Sequence, residues 1–231
     1  MLYPILSNFH PWSVSLEEAK GIQEKLSAKV ILQDDFKKIE TVAGVGIVFS
    51  KPGDEVSVAC VIFSFPEMKI WHTGFSRGKV RFPYTPGFFA FSAGPAIIST
   101  LEKMPKPDLT IFPGRGIAHP RKLGLASHLG LLLDLPTIAC SKTPLWRDNP
   151  ELSGEKGSHI FIRDDPGMLI GAVVRTRKGV KPIYVTPGNK ISIQTAVKLV
   201  LECSLKFRIP EPLRQAHILA DRWILQNGNI F

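Results

Sequence analysis

Asp108 to Ala139 reads DLTIFPGRGIAHPRKLGLASHLGLLLDLPTIA. Two short apolar runs, Asp108–Phe112 and Leu135–Ala139, bracket a loop, Pro113–Pro120, and an apolar stretch of helical spacing, Arg121–Leu133. Runs this short and this apolar are expected as strands buried on both faces. Strand, helix and strand in that order form a right-handed parallel crossover. The segment therefore predicts a layered α/β domain with a parallel centre.

Upstream, Thr41–Ser50 (TVAGVGIVFS), Glu55–Phe63 and Glu67–Phe75 read as three strands. The tetrapeptide KPGD at Lys51–Asp54 is turn chemistry between the first two. An antiparallel meander is expected. Ser15–Leu26 reads as an amphipathic helix, capped by Ser15 with Glu18 at the capping-box position. Phe88–Lys103 reads as a helix interrupted or kinked at Gly94 and Pro95. Downstream, Asn149–Gly157 is polar and expected to be mobile. Met168–Arg175 and Lys181–Thr186 read as strands, Ile191–Phe207 and Pro212–Gln226 as helices. A meander followed by alternating helices and strands is the order of an RNase H-like layered fold, a central mixed sheet flanked by helices. Other mixed α/β folds share that order.

The chain has 231 residues, 44% hydrophobic and 21% charged, which fits one domain over 1–231. No run of about 18 apolar residues exists, so no membrane helix is expected. The stretch MLYPILSNFHPW lacks a basic region and a long apolar core, so no signal peptide is expected. Cys60, Cys140 and Cys203 are scattered, without a CxxC pair. That argues against a zinc ribbon and a disulfide framework, and for reduced thiols and a cytoplasmic location. Lys and Arg number 29 against 20 acids, a net +9. A polyanionic partner follows, nucleic acid first among them.

The loop after the Asp108–Phe112 strand is where an open α/β sheet binds ligands. Gly114 and Gly116 let backbone N–H groups approach an anion, and Arg115, Arg121 and Lys122 supply charge. The spacing is not that of a GxGxxG fingerprint. His119 suits phosphate contact or acid/base work, whereas His128 and His217, inside helices, read as packed residues. In FPYTPGFFAF, Phe82–Phe91, Tyr84 stands between prolines just before Pro86 and Gly87. Such a stiff loop serves equally as a stacking wedge or as a plug over the core. Lys142 follows a buried strand within reach of a phosphate, and Cys140 reads as a small core residue.

Carboxylates are missing where a metal-dependent nuclease needs them. None lies in Thr41–Ser50, in the IFPG strand end or in Phe88–Ile98, and neither HExxH nor GxSxG occurs. Asp34, Asp35, Asp134, Asp164 and Asp165 read as caps or solvated acids. No catalytic residue, metal ligand or cofactor is therefore assigned.

These motifs resemble the endonuclease V family, nucleases acting at deaminated adenine, inosine or deoxyinosine. The resemblance runs from about Leu26 to about Ala220. It rests on DDF (Asp34–Phe36), VAGVGIVFS, PYTPGFFAF, the block PDLTIFPGRGIAHPRKLGLASHLGLLLDLPTIACSK, and RIPEPLRQAH. It implies an RNase H-like fold and nucleic-acid binding through Tyr84 as wedge, His119 in the loop and Lys142 at a strand end. The departures are chemical. Gly46, Ala93 and Pro113 stand where the family pattern carries acidic metal ligands. Arg115 replaces a loop His or Asn, adding charge to the vacated site, and Asn189 replaces a His. His217 occupies the remaining ligand position. Gly, Ala and Pro offer Mg²⁺ no side-chain oxygen. The expected function is binding at inosine without metal-dependent cleavage. Two alternatives stand: an active Mg²⁺-dependent enzyme with relocated acids (Asp108, Asp134 or one from Arg163–Asp165) gathered near His217, and a scaffold protein without nucleic-acid binding. A metal-free lyase using Lys142 as a Schiff-base nucleophile is a further possibility.

Overall fold

Helix α1 (Leu16–Ser27) carries both halves of the expected capping box: the Ser15 side chain accepts from the Glu18 amide, and Glu18 accepts from the Ser15 amide at 2.8 Å. The computed structural model describes residues 10–50, 53–146 and 150–227. Residues 1–9 of the segment read as lacking a leader, the Lys51–Pro52 half of the expected turn and Asn149 lie outside them.

Eight strands follow α1 into one sheet. They are β1 (Thr41–Phe49), β2 (Glu55–Ser64), β3 (Ile70–Lys79), β4 (Leu109–Pro113), β5 (Thr137–Ser141), β6 (His159–Arg163), β7 (Leu169–Val174) and β8 (Ile183–Asn189). Their order is β3-β2-β1-β4-β5-β8-β7-β6. The expected meander forms, Val42 to Gly44 pair in parallel with Leu109 to Ile111, and β4 pairs in parallel with β5. Beyond β5 the sheet is antiparallel. Helices α2 (Phe89–Leu101) and α3 (Leu125–Leu132) cover one face; α4 (Ile193–Glu202) and α5 (Glu211–Asn227) cover the other. β1 shows why it lies centrally. Ala43 and Val45 join the core under α2 and α3, while Val42 joins the opposite core under α4 and the start of α5. Such two-sided burial demands the continuous apolar run seen in the sequence.

Several boundaries differ from the sequence reading. β3 begins at Ile70, because Ser64 and Lys69 close a turn first: Ser64 N–H donates to the Lys69 carbonyl at 2.8 Å, with Met68 at φ 55°. α3 begins at Leu125 rather than Arg121. Lys122 has φ 54° and Gly124 is the extended N-cap, so residues 121–124 extend the loop. α2 runs through Gly94 and Pro95. α4 starts after its Ser192 cap and stops at Glu202, leaving 203–210 as a connecting loop. β6 was not foreseen; it is a short edge strand without a fully buried residue, so its pattern is weak. No helix among the described residues is long and apolar enough to cross a membrane.

Candidate nucleic-acid interface

Because β1, β4 and β5 run parallel, Ile47 near the end of β1 and the last residues of β4 and β5, Pro113 and Ser141, open onto one edge of the sheet. Two adjoining cavities lie there, sharing Phe89, Pro113 and Gly114 as a common wall.

The first, about 590 Å³, is lined among others by Gln23, Tyr84, Pro86, Gly87, Gly114, Arg115, His119 and Arg121. On its wall, the Gly87 carbonyl gathers three side chains. Gln23 Nε2 donates to it at 3.0 Å, an Arg121 guanidinium nitrogen at 2.9 Å, and His119 Nε2 contacts it at 3.0 Å. Gly87 has φ +84°, a backbone state that disfavours any side chain. His119 Nδ1 accepts from the Arg121 amide at 3.2 Å. Its Nε2 therefore carries the proton given to Gly87. Burial, then the Arg121 charge, pushes the His119 pKa down to about 4. His119 is a neutral ring with both nitrogens engaged, so the structure uses it to brace the loop.

Arg121 also donates Nε to Gln23 Oε1 at 2.6 Å and stacks 4.3 Å from the Phe88 ring centre. Gln23 was missed by sequence reading. It is 1% exposed, one turn from Ala19 on the buried face of α1. A glutamine at an apolar position of a helical stripe is the signal that would have found it. Tyr84 stands over the cavity, 62% exposed, its ring propped edge-on by Phe49 and Phe89. Gly114, at φ +95°, ties the loop to β5 through its amide and the Cys140 carbonyl, 3.0 Å. A Cβ on Gly116 would lie 2.1 Å from the Pro187 carbonyl oxygen, so only glycine lets the loop pack on β8.

The second cavity, about 480 Å³, is lined by Gly46, Pro113 and His217, three of the four positions singled out in the sequence. Gly46, Ile47, Pro113, Ser141, Lys142, Leu213, Arg214 and His217 are among its walls. A Cβ on Gly46 would lie 2.1 Å from the Ala216 carbonyl oxygen and 2.5 Å from the His217 amide nitrogen. Ala93 is fully buried in the α2 core. His217 faces Asp221 at 3.5 Å. Lys142 is exposed at the rim.

Two expectations are corrected here. Arg115 does not fill the vacated site; it lines the first cavity, and its guanidinium donates to the Ala118 and Leu145 carbonyls at 3.1 and 3.2 Å. Lys122 lines neither cavity and is ion-paired with Asp164. That pairing holds the Asp164 carboxyl below its ordinary range.

Asp108, Asp134 and Asp164 do not converge on His217. Asp108 caps the start of β1, accepting from the Thr41 amide and hydroxyl at 2.8 Å. Asp134 pairs with Lys190 at 2.7 Å, and Asp34 accepts from the Ser192 amide at 2.7 Å. Asp108 and Asp134 line a third hollow together, at the opposite strand ends. Asn189 is buried, donating to the Gly130 carbonyl at 3.1 Å. Among the described residues, no group of three or more His, Cys, Asp or Glu could hold a metal ion.

The family model of endonuclease V matches residues 24–218. Endonuclease V of Trichormus variabilis is 46% identical over 92% of this chain and 96% of its own length. Endonuclease V from Streptomyces avermitilis superimposes with a TM-score of 0.88 at 33% identity, covering 94% of this chain and 96% of that one. That of Ciona intestinalis, solved with a 24mer DNA containing an inosine followed by a ribo-adenosine, gives 0.81 at 27% identity, covering 91% and 98%. The fold is thus the RNase H-like one of these structures, and the chain belongs to the endonuclease V family.

Proposed function

We propose that this chain binds nucleic acid at an unpaired deaminated adenine and does not cleave it by the metal-dependent route of its family. The observation that carries this reading is the contrast between the adjoining cavities. The first offers what holding a base requires. Its volume lies within the range of small-ligand pockets, and its walls mix apolar side chains with backbone polar groups. Tyr84 is a rigid aromatic face at its mouth, suited to stack where a nucleotide leaves the duplex. The inosine-containing DNA bound by the Ciona relative supports the choice of base.

In the second cavity the residues do not fit a pair of divalent cations. Mg²⁺ needs hard oxygen ligands in a near-octahedral set. Here three of the four expected positions are Gly, Ala and Pro, and helix backbone occupies the space beside Gly46. Two-metal chemistry requires carboxylates converging on both ions, and Asp108, Asp134 and Asp164 are engaged elsewhere. What remains suits holding a strand in place: Lys142 at the rim, and the glycine loop beside it.

The test pairs binding with cleavage. Labelled inosine-containing and control strands, as DNA and RNA, are mixed with the protein with and without Mg²⁺ or Mn²⁺. Binding that favours inosine, weakens steeply with salt as counterion release requires, and leaves the strand intact is expected. Metal-dependent cleavage overturns the inactive assignment. Absence of binding at low salt overturns the reading and favours a scaffold.

A further inference from the structure

The connection between α4 and α5, residues 203–210, borders the second cavity, where Ile209 is part of the wall, and its exposed tip has no role in the reading above. It carries Leu205-Lys206-Phe207-Arg208, of which the first three are exposed. Apolar side chains on a loop usually turn inward, yet Phe207 is 46% exposed. The loop is nonetheless fixed. Arg208 donates to the Lys142 carbonyl at 3.0 Å and the Pro182 carbonyl at 2.6 Å. Thr176 Oγ1 donates to the Arg208 carbonyl at 2.6 Å, and Arg177 to the Lys206 carbonyl at 3.2 Å. These bonds tie three segments into one platform.

Phe207 is also oriented. The Arg214 guanidinium stacks on its ring at 4.0 Å, and Arg214 is itself held by both carboxylate oxygens of Glu211, at 2.8 and 2.6 Å. Arg214 and Lys142 are walls of the second cavity, so the platform begins at its rim. Around it stand Lys142, Arg177, Lys181 and Lys206, all exposed. Lys142, Lys181 and Lys206 form no ion pair among the described residues. Of the nearby acids, Glu211 is engaged by Arg214 and Glu155 by Lys178. A pre-oriented aromatic ring within a cationic surface is the arrangement that binds single-stranded nucleic acid, the ring stacking a base and the cations meeting phosphates.

We propose that Phe207 is a stacking platform for an unpaired nucleobase on the strand that passes over the second cavity, with Lys142, Arg177, Lys181 and Lys206 meeting the flanking phosphates. The inference rests on the nucleic-acid reading above and adds a second contact outside the inosine cavity. It makes single-stranded nucleic acid, rather than intact duplex, the preferred partner of this face.

The test is fluorescence anisotropy on the full chain, using a labelled single strand with one inosine and the same strand fully paired. Phe207→Ala is expected to weaken single-strand binding roughly tenfold, and Phe207→Trp to keep it. Lys206→Ala is expected to flatten the salt slope by roughly 0.7. Duplex binding is expected to stay within about twofold, since paired bases offer no free face. Both side chains are exposed, so the variants fold. Equal single-strand affinity for Phe207→Ala and the unaltered protein overturns this inference alone. A protein that binds neither strand overturns it together with the reading it rests on.

Discussion

Gly46 of β1 lies directly beneath the Ala216 carbonyl of α5, at a separation that a Cβ cannot enter. Gly44, two residues earlier on the same face, meets Pro212 in the same way. At both positions the α5 backbone packs directly on the strand and leaves no room for a side chain. Overpacking against side chains typically costs about 1–3 kcal/mol, and backbone yields less readily. Gly46→Asp is expected to lower stability by about 3 kcal/mol or more. Alone, or with Ala93→Glu and Pro113→Asp, it is expected to produce no Mg²⁺-dependent cleavage. Urea unfolding and cleavage of an inosine-containing strand measure the two halves. Unaltered stability with cleavage would show that α5 withdraws easily.

Tyr84 is exposed and rests edge-on against Phe49 and Phe89. Stacked bases are worth about 1–3 kcal/mol by alanine substitution. Tyr84→Ala is expected to weaken binding of inosine-containing strands by roughly 5- to 150-fold. Stability should shift by no more than about 0.5 kcal/mol, as for other surface changes. Tyr84→Phe is expected to bind normally. Binding titrations and a thermal melt on the same preparations decide it. Equal affinity for Tyr84→Ala would return the residue to the role of a plug over the core.

The strands that carry these residues were legible because β1, β4, β5 and β8 are buried on both faces and read as apolar runs. β6, exposed at the sheet edge, left no such trace. Tyr84, Gly87, Gly114, His119 and Arg121, which line the first cavity, stand out in the sequence because Pro and Gly mark the loops that hold them. What each does was less legible, since it depends on partners distant in sequence. Arg115 is committed to the Leu145 carbonyl, Lys122 to Asp164, and His119 to Gly87. Gln23 acts across the fold on Leu123, which no local pattern records.

Gln23 links α1 to both loops of the first cavity. Its Nε2 donates to the Gly87 and Leu123 carbonyls and its Oε1 accepts from Arg121. Gln23→Leu keeps the volume but strips these partners. Leaving buried polar groups unpaired costs about 1–3 kcal/mol. That loss of stability is expected, with a further loss of the inosine-to-control binding ratio as Arg121 is released. Gln23→Glu, which retains an acceptor for Arg121, is expected to preserve more of the ratio. Measured ratios equal for all three proteins would make Gln23 a packing residue only.

His10 and His128 face one another through their Nε2 atoms at 2.7 Å, with Trp12 stacked on His128 and Phe91 edge-on to it. His10 Nδ1 contacts the Pro11 carbonyl at 2.8 Å, so its proton sits there and its Nε2 accepts from His128. His128 Nδ1 is buried without a partner. Two neutral rings sharing that one proton satisfy the contact. Burial, and then the neighbouring His10, pushes the His128 pKa down to about 3, while burial lowers that of His10. The unfolded chain protonates its histidines near 6.5. Between 6.5 and about 4 the unfolded state therefore takes up protons that the folded state refuses at His128 and His119. Stability is full above 6.5 and falls as pH drops, by about 1.4 kcal/mol per pH unit for each such ring. His128→Phe keeps a ring in the stack and removes one titrating group. Urea midpoints across this range should fall steeply for the unaltered protein and less steeply, by that single-ring slope, for His128→Phe. Equal slopes would mean that the fold opens around His128 to let the proton in.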